Sequence, residues 1–246
     1  MSLQITYSDA TRIESDPTLS RIASSLESYF SLAQRMLERV GLGRVLYNLK
    51  VLAIPGSSSG NVVATYDEGK DILEIYLLPL ERNSRRAHSI IIHECGHRYW
   101  NNFLTGGKKQ VWSNKYVKAS SRAVSEINQA AWTRQWSSYE SFVTSFSDAN
   151  TRLIALHFAN ALIANKHPIQ LIGRVDFMKH PATRDMATGR RMFSITPLIS
   201  EYATKDVYED FSETFRLYVD SGGTLNQISD SRGREMLRFI FERTIF

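Results

Sequence analysis

The sequence predicts an α+β fold: a small β-sheet, one central helix that carries the polar motif, and a large helical insertion. Three observations predict it. Strand-like runs cluster between residues 49 and 78 instead of alternating with helices. A helical pattern precedes them, and the chain after residue 84 reads mostly as helix. Helices segregated from a short block of strands imply α+β packing, not repeated β/α units.

The elements follow in order. Asp16-Pro17 sets an N-cap and a proline at the first helical turn. Leu19, Ile22, Leu26, Tyr29, Phe30, Ala33, Leu37 and Val40 then recur at helical spacing, and Gly41 or Gly43 ends the helix. Leu49 to Ile54 reads as a strand, closed by Pro55 and the run 56–60. Asn61 to Tyr66 and Ile72 to Leu78 read as a hairpin about residues 67–70. Ser84 to Leu104 is helical, with Gly106-Gly107 as its expected end. Helices are expected near 119–134 and 138–165, irregular chain from Ile169 to Pro197, a helix from Asp206 through Tyr218 ended by Gly222-Gly223, and a last helix about 230–243. The chain is expected to be a single domain, 1–246, with the helical insertion at about 107–197.

Composition removes several classes. In 246 residues, 43% hydrophobic and 22% charged, there is enough apolar material for a packed core, which excludes disordered and collagen-like chains. A single cysteine, Cys95, excludes internal disulfides. No stretch approaches the roughly 18 apolar residues of a membrane helix. The opening MSLQITYSDATRIESD has no basic-then-apolar leader, so a cytoplasmic chain with no membrane partner is expected. Lys+Arg exceed Asp+Glu by 30 to 25, but the basic residues are scattered, as at Arg85, Arg86, Lys108, Lys109, Arg190, Arg191, Arg232 and Arg234. That scatter argues against nucleic acid as a partner.

Chemistry concentrates in Ser89-Ile90-Ile91-Ile92-His93-Glu94-Cys95-Gly96-His97, which contains H-E-x-x-H. Residues four apart share a helix face, so His93 and His97 can reach one metal ion, of which zinc is the expected choice. Glu94 lies about 60° around the helix from His97, placed to work on a metal-bound water as a general base. Cys95, about 200° from His93, should point into the core. Coincidence is a weak rival: with 6 His and 14 Glu, random order gives the pattern with a probability of about 0.008.

Zinc hydrolases use three protein ligands plus water. The extended pattern H-E-x-x-H-x-x-G-x-x-H is excluded, because Trp100 and Phe103 occupy its last two positions. The third ligand therefore comes from elsewhere, and the best candidate is Glu209, with Glu213 one turn later on the same face. Phe211, Phe215 and Tyr218 are left to face the core.

These residues carry a resemblance. His93-Glu94-Cys95-Gly96-His97, then Ser200-Glu201-Tyr202-Ala203, then Glu209-Asp210-Phe211-Ser212-Glu213-Thr214-Phe215 resemble the gluzincin metallopeptidases, and among them the family of the anthrax lethal factor catalytic domain. The resemblance implies a zincin-like fold and one bound zinc. It implies His93, His97 and Glu209 as zinc ligands, Glu94 as general base, Tyr202 as the hydroxyl that stabilises the oxyanion, and Glu213 as a carboxylate behind a ligating histidine. It covers about a third of the chain. The separation from His97 to Glu209, 209 − 97 = 112 positions, is much longer than in that family. The helical insertion fills this distance and is expected to shape the substrate groove.

The expected activity is hydrolysis of peptide bonds in a peptide or protein substrate, with a strand of the 49–78 region, such as Ile72 to Leu78, pairing with the extended substrate. Two alternatives stand beside it: an inactive zincin-fold binding protein, and a zinc hydrolase of a non-peptide amide. The other histidines read blandly: His157 as a core or boundary residue, His167 and His180 in loops, and His88 off the metal-facing side.

Overall fold

Asp16 caps the longest helix as its sequence dictates. Its carboxylate accepts from the backbone N–H groups of Thr18 and Leu19, 2.8 and 3.2 Å away, directly before Pro17. The computed structural model describes residues 4–56, 62–114, 116–117, 121–164, 166, 168–169, 193–194, 202–224, 238 and 240. The chain divides into two compact units: Met1–Lys109 with Tyr208–Phe246, and Gln110–Val207.

The first unit starts with a short strand β1 (Gln4–Tyr7) and helix α1 (Ala10–Ser15), neither expected from sequence. Helix α2 (Pro17–Arg39) follows and stops where Gly41 takes φ 76°, with the Leu42 N–H bonding back to Leu37 O at 2.8 Å. Strands β2 (Lys50–Ile54), β3 (Ala64–Asp67) and β4 (Ile72–Tyr76) complete a four-stranded sheet in the order β1-β2-β4-β3. β1 and β4 run parallel to β2, and β3 is antiparallel to β4, so the sheet is mixed and the fold is α+β.

Two expectations change here. The second hairpin strand ends at Tyr76, because Leu77 begins helix α3 (Leu77–Arg82), whose first turn accommodates Pro79. And β4 lies inside the sheet, paired on both sides, so it has no free backbone groups for a substrate strand. The edges are β1 and β3.

Helix α4 (Ala87–Phe103) follows a 3-10 turn at Ser84–Arg86 and packs on α2 and β3. The core between them is apolar: Leu26, Phe30, Ala33 and Leu37 from α2, Val51 and Ala53 from β2, Leu73 and Ile75 from β4, and Ile91, Ile92, Cys95 and Tyr99 from α4 are all buried. Gly106-Gly107 do not terminate α4. Leu104 does, in an extended conformation, and the glycines open helix α5 (Gly106–Ser113), with the Thr105 hydroxyl accepting from Lys108 N at its start. Helix α9 (Val207–Asp220) returns to the first unit, and Gly222 and Gly223 end it with φ 67° and 83°.

The second unit holds α6 (Ser121–Thr133), α7 (Tyr139–Thr144), α8 (Ala149–Ala164) and a two-stranded ribbon of β5 (Tyr116–Val117) and β6 (Phe193–Ser194). The helix expected over 138–165 is two helices. Ser138 and Ser141 form a reciprocal capping box for α7, and Asp148 accepts from Thr151 N at 2.7 Å to start α8. The core of this unit is built from Ile127, Phe142, Phe146, Ile154, Phe158 and Leu162 with smaller neighbours. Most of the segment Ile169–Pro197, the last helix expected at 230–243 apart from residues 238 and 240, the side chain of His157, and His167 and His180 lie outside the described residues. Among the described residues no helix is long and apolar enough to cross a membrane.

Candidate metal centre

Helix α4 presents an unusual face. His93, Glu94 and Arg98 are each less than a tenth exposed, in the same helix as the apolar Ile91, Ile92 and Cys95. Buried charge survives only where partners are supplied. For His93 helix α9 supplies them, through the buried Glu209 and Glu213, while Arg98 is paired by Asp71.

Aromatic packing docks the two helices. The Tyr99 ring lies 5.3 Å from Phe215 and 6.2 Å from Phe211, and Trp100 meets Phe211 edge-on at 5.1 Å. Closer to the motif, a Cβ on Gly96 would stand 2.7 Å from Cα of Ser212. Only glycine lets the α9 backbone approach that closely.

The approach brings Glu209 between the histidines. Its Oε2 lies 3.2 Å from His93 Nε2 and 3.4 Å from His97 Nε2. One ligand atom from each of His93, His97 and Glu209 falls within 4.8 Å of the other two, so this group can hold a metal ion. The two rings meet edge to face, at 5.0 Å and 79°, which separates their inward nitrogens instead of stacking them.

Outside this trio, His93 Nδ1 faces Glu213 Oε1 at 2.9 Å. That bond keeps a proton on Nδ1, so in the neutral ring Nε2 is the nitrogen whose lone pair can meet a metal. Burial alone would push His93 toward its neutral form, but the Glu209 and Glu213 carboxylates outweigh it and hold the ring up at about 9. The cluster thus favours a cation where its ligand atoms converge. Two imidazoles and a carboxylate are also a donor set that suits zinc. The residues fit a metal ion.

Glu94 belongs to the site without joining the ligands. Burial raises its carboxyl above the usual range, opposed by His93 and His97 and by a hydrogen bond from the Tyr66 backbone N–H on edge strand β3. A buried carboxyl held this way is suited to proton transfer. Cys95 points into the core as expected, 1% exposed, its thiol pushed up to about 12 by burial.

The structure therefore brings together His93, Glu94, His97, Glu209 and Glu213, all in the first unit. Tyr202 is a residue of the second unit. It sits on a 3-10 turn (Tyr202–Thr204), 52% exposed, with Lys205 Nζ 5.2 Å from its ring centroid.

Sequence reasoning missed two supports of the site. Arg98, one turn beyond Glu94, clamps Asp71 with two 2.7 Å bonds and reaches the carbonyls of Val45 and Tyr47. Asp71 also accepts from the Tyr66 hydroxyl at 2.7 Å, so one residue's hydroxyl and backbone N–H tie α4 to β3. Arg216 forks onto Glu213 and also reaches Asp220. The spacing Glu213, Arg216, Asp220 was legible as helical ion pairing, whereas Asp71 opposite Arg98 was not. Comparison with family models, curated proteins and solved structures gives no match to this chain.

Proposed function

We propose that the chain is a zinc-dependent metallopeptidase of the gluzincin type on a zincin-like fold. The observation that carries the reading is the convergence of both histidine Nε2 atoms on one oxygen of Glu209, with Glu94 buried beside them and left out of the ligand set. A structural metal site needs no such spare carboxylate.

His93, His97 and Glu209 would hold the zinc. Zinc bound there supplies a Lewis acid for the scissile carbonyl and lowers the pKa of water toward about 7. Glu94 takes the proton of the attacking water and returns it to the leaving amine nitrogen. Glu213 holds the His93 ring in its ligating tautomer. Tyr202, on the strength of the family resemblance, donates its hydroxyl to the developing oxyanion. The extended substrate pairs along an open edge of the sheet, and β3 is the edge bonded to Glu94. A cytoplasmic setting belongs to the same reading.

Two variants test it, assayed together for zinc content and for cleavage of casein. Glu94→Gln keeps size and helix but removes the basic carboxylate, so zinc stays at one per chain and hydrolysis falls by about 10²–10⁴-fold. Glu209→Ala leaves two protein ligands and loses zinc and activity together. Wild type that binds zinc but leaves casein intact would point to the binding-protein or amide-hydrolase alternatives. Wild type that takes up no zinc would sink the reading.

A further inference from the structure

Arg216 touches no ligand atom, yet it sits at the junction of the polar path between the two helices. Its Nε donates to Glu213 Oε1 and its Nη2 to Glu213 Oε2, both at 3.2 Å. Its Nη1 donates to Asp220 Oδ2 at 3.0 Å. The same Glu213 Oε1 faces His93 Nδ1 at 2.9 Å. Asp220 accepts from the Ser89 hydroxyl at 3.3 Å, and Ser89 lies one turn before His93 on α4. The path leaves α4 at His93, runs along α9, and re-enters α4 at Ser89.

We infer that Arg216 is a positioning residue for metal affinity, acting through Glu213 on His93. The inference rests on the metal reading above. A glutamate carboxylate turns easily about its last bond, and one hydrogen bond to an imidazole does not stop it. Two parallel bonds from a planar guanidinium fix its plane. With the plane fixed, Oε1 stays where the His93 Nδ1 proton points, and the opposite nitrogen keeps its lone pair aimed at the convergence point near Glu209. Lysine brings the charge but not the fork. Asp220, tied to Ser89, holds the guanidinium from its other side and so sets the direction of the fork.

A purely structural role makes a different prediction. An ion pair within α9 would steady the helix and leave the ligand set unchanged. The discriminating readout is zinc affinity by competition with a chromophoric chelator, supported by the visible spectrum of the cobalt-substituted protein and the melting temperature of the metal-free protein. The set is wild type, R216M, R216K and E209A. R216M is expected to bind zinc about 10–100-fold more weakly than wild type, with a shifted cobalt spectrum. R216K is expected to lie closer to R216M than to wild type. R216M that melts earlier but binds zinc like wild type overturns the inference. Should R216M fail to fold, R216K decides: weaker binding supports the inference, and wild-type affinity overturns it. Wild type that takes no zinc, with E209A identical to it, overturns the metal reading and this inference together. Zinc in wild type, none in E209A and unchanged affinity in R216M overturns this inference alone.

Discussion

The two units differ in the polar residues they bury. Among the described residues, the second unit's interior is Trp112 with Ile, Phe, Val, Ala and Leu, and beyond these its buried polar side chain is Thr151, bonded to the α8 cap Asp148. The first unit has a larger apolar core and adds His93, Glu94, Arg98, Glu209, Asp210, Ser212, Glu213 and Thr214. Apolar burial stabilises without regard to direction, while each buried charge costs stability unless a partner sits at the right angle. The second unit is therefore arranged for packing. In the first, part of that stability is given up so that charged groups hold fixed positions.

The sharpest way to break this comparison is to hollow out the apolar side. Phe158→Ala empties a fully buried site in the second unit and should cost about 3–5 kcal/mol by denaturant titration. On the proposed metal reading, zinc binding in the first unit should stay at one per chain. Loss of zinc in that variant would show that the two cores are not separate supports.

A second substitution adds a single methyl group to the polar side. Alanine at Gly96 would raise helix propensity by about 1 kcal/mol. Its Cβ would, however, stand 2.7 Å from the backbone of Ser212, and overpacking of this kind costs about 1–3 kcal/mol. The clash should win. Gly96→Ala is expected to lower the melting temperature and, on the proposed metal reading, to weaken zinc binding, because α9 carries Glu209 and must move. An unchanged zinc affinity would mean that the ligand geometry tolerates helix displacement.

The smallest expected effect sharpens the comparison through pH. The Arg98 guanidinium holds Asp71 below the usual carboxylate range, opposed by partial burial. A depressed folded value contributes stability above the unfolded pKa near 4, lost as pH falls through the folded value. Tyr66 is pushed the other way, up to about 12, by burial and by Asp71. Its contribution is complete below about pH 10 and is lost as pH rises toward 12. Asp71 is 40% exposed, so screening keeps its share below about 1 kcal/mol. Tyr66→Phe should remove the alkaline loss between pH 10 and 12, and Asp71→Asn should flatten the acid limb below pH 4. Melting curves across pH on both variants check the signs.

Local signals were the legible part of the sequence. Asp16-Pro17 and Gly41 fixed α2 because capping acts within a few residues. His93, His97, Glu209 and Glu213 were readable because four-residue spacing puts pairs on one helix face, and the motif created demand for a carboxylate. What escaped was decided at a distance. β1 is too short to announce itself and exists because Lys50–Ala53 offers it a parallel partner. Asp71 looks like a turn residue until Arg98 is seen opposite it. Two misses were local after all. Thr105 before Gly106 and Asp148 before α8 both cap helices, and each was outweighed by a stronger-looking cue, a glycine pair and a long apolar run.

The burial of Cys95 has a practical consequence. It is the chain's only thiol, it is 1% exposed, and it lies on α4 between the two histidines. A thiol-reactive dye can reach it only when α4 opens from the sheet and α2. The molecule therefore carries its own clock for the opening of the first unit, with no engineered label. Labelling should be slow in the folded chain and, on the proposed metal reading, slower still with zinc, since a metal bridging α4 and α9 would have to be released before the helix lifts. Because the second unit has no cysteine, its unfolding adds no labelling of its own, and the dye reads the breathing of one half of the chain alone.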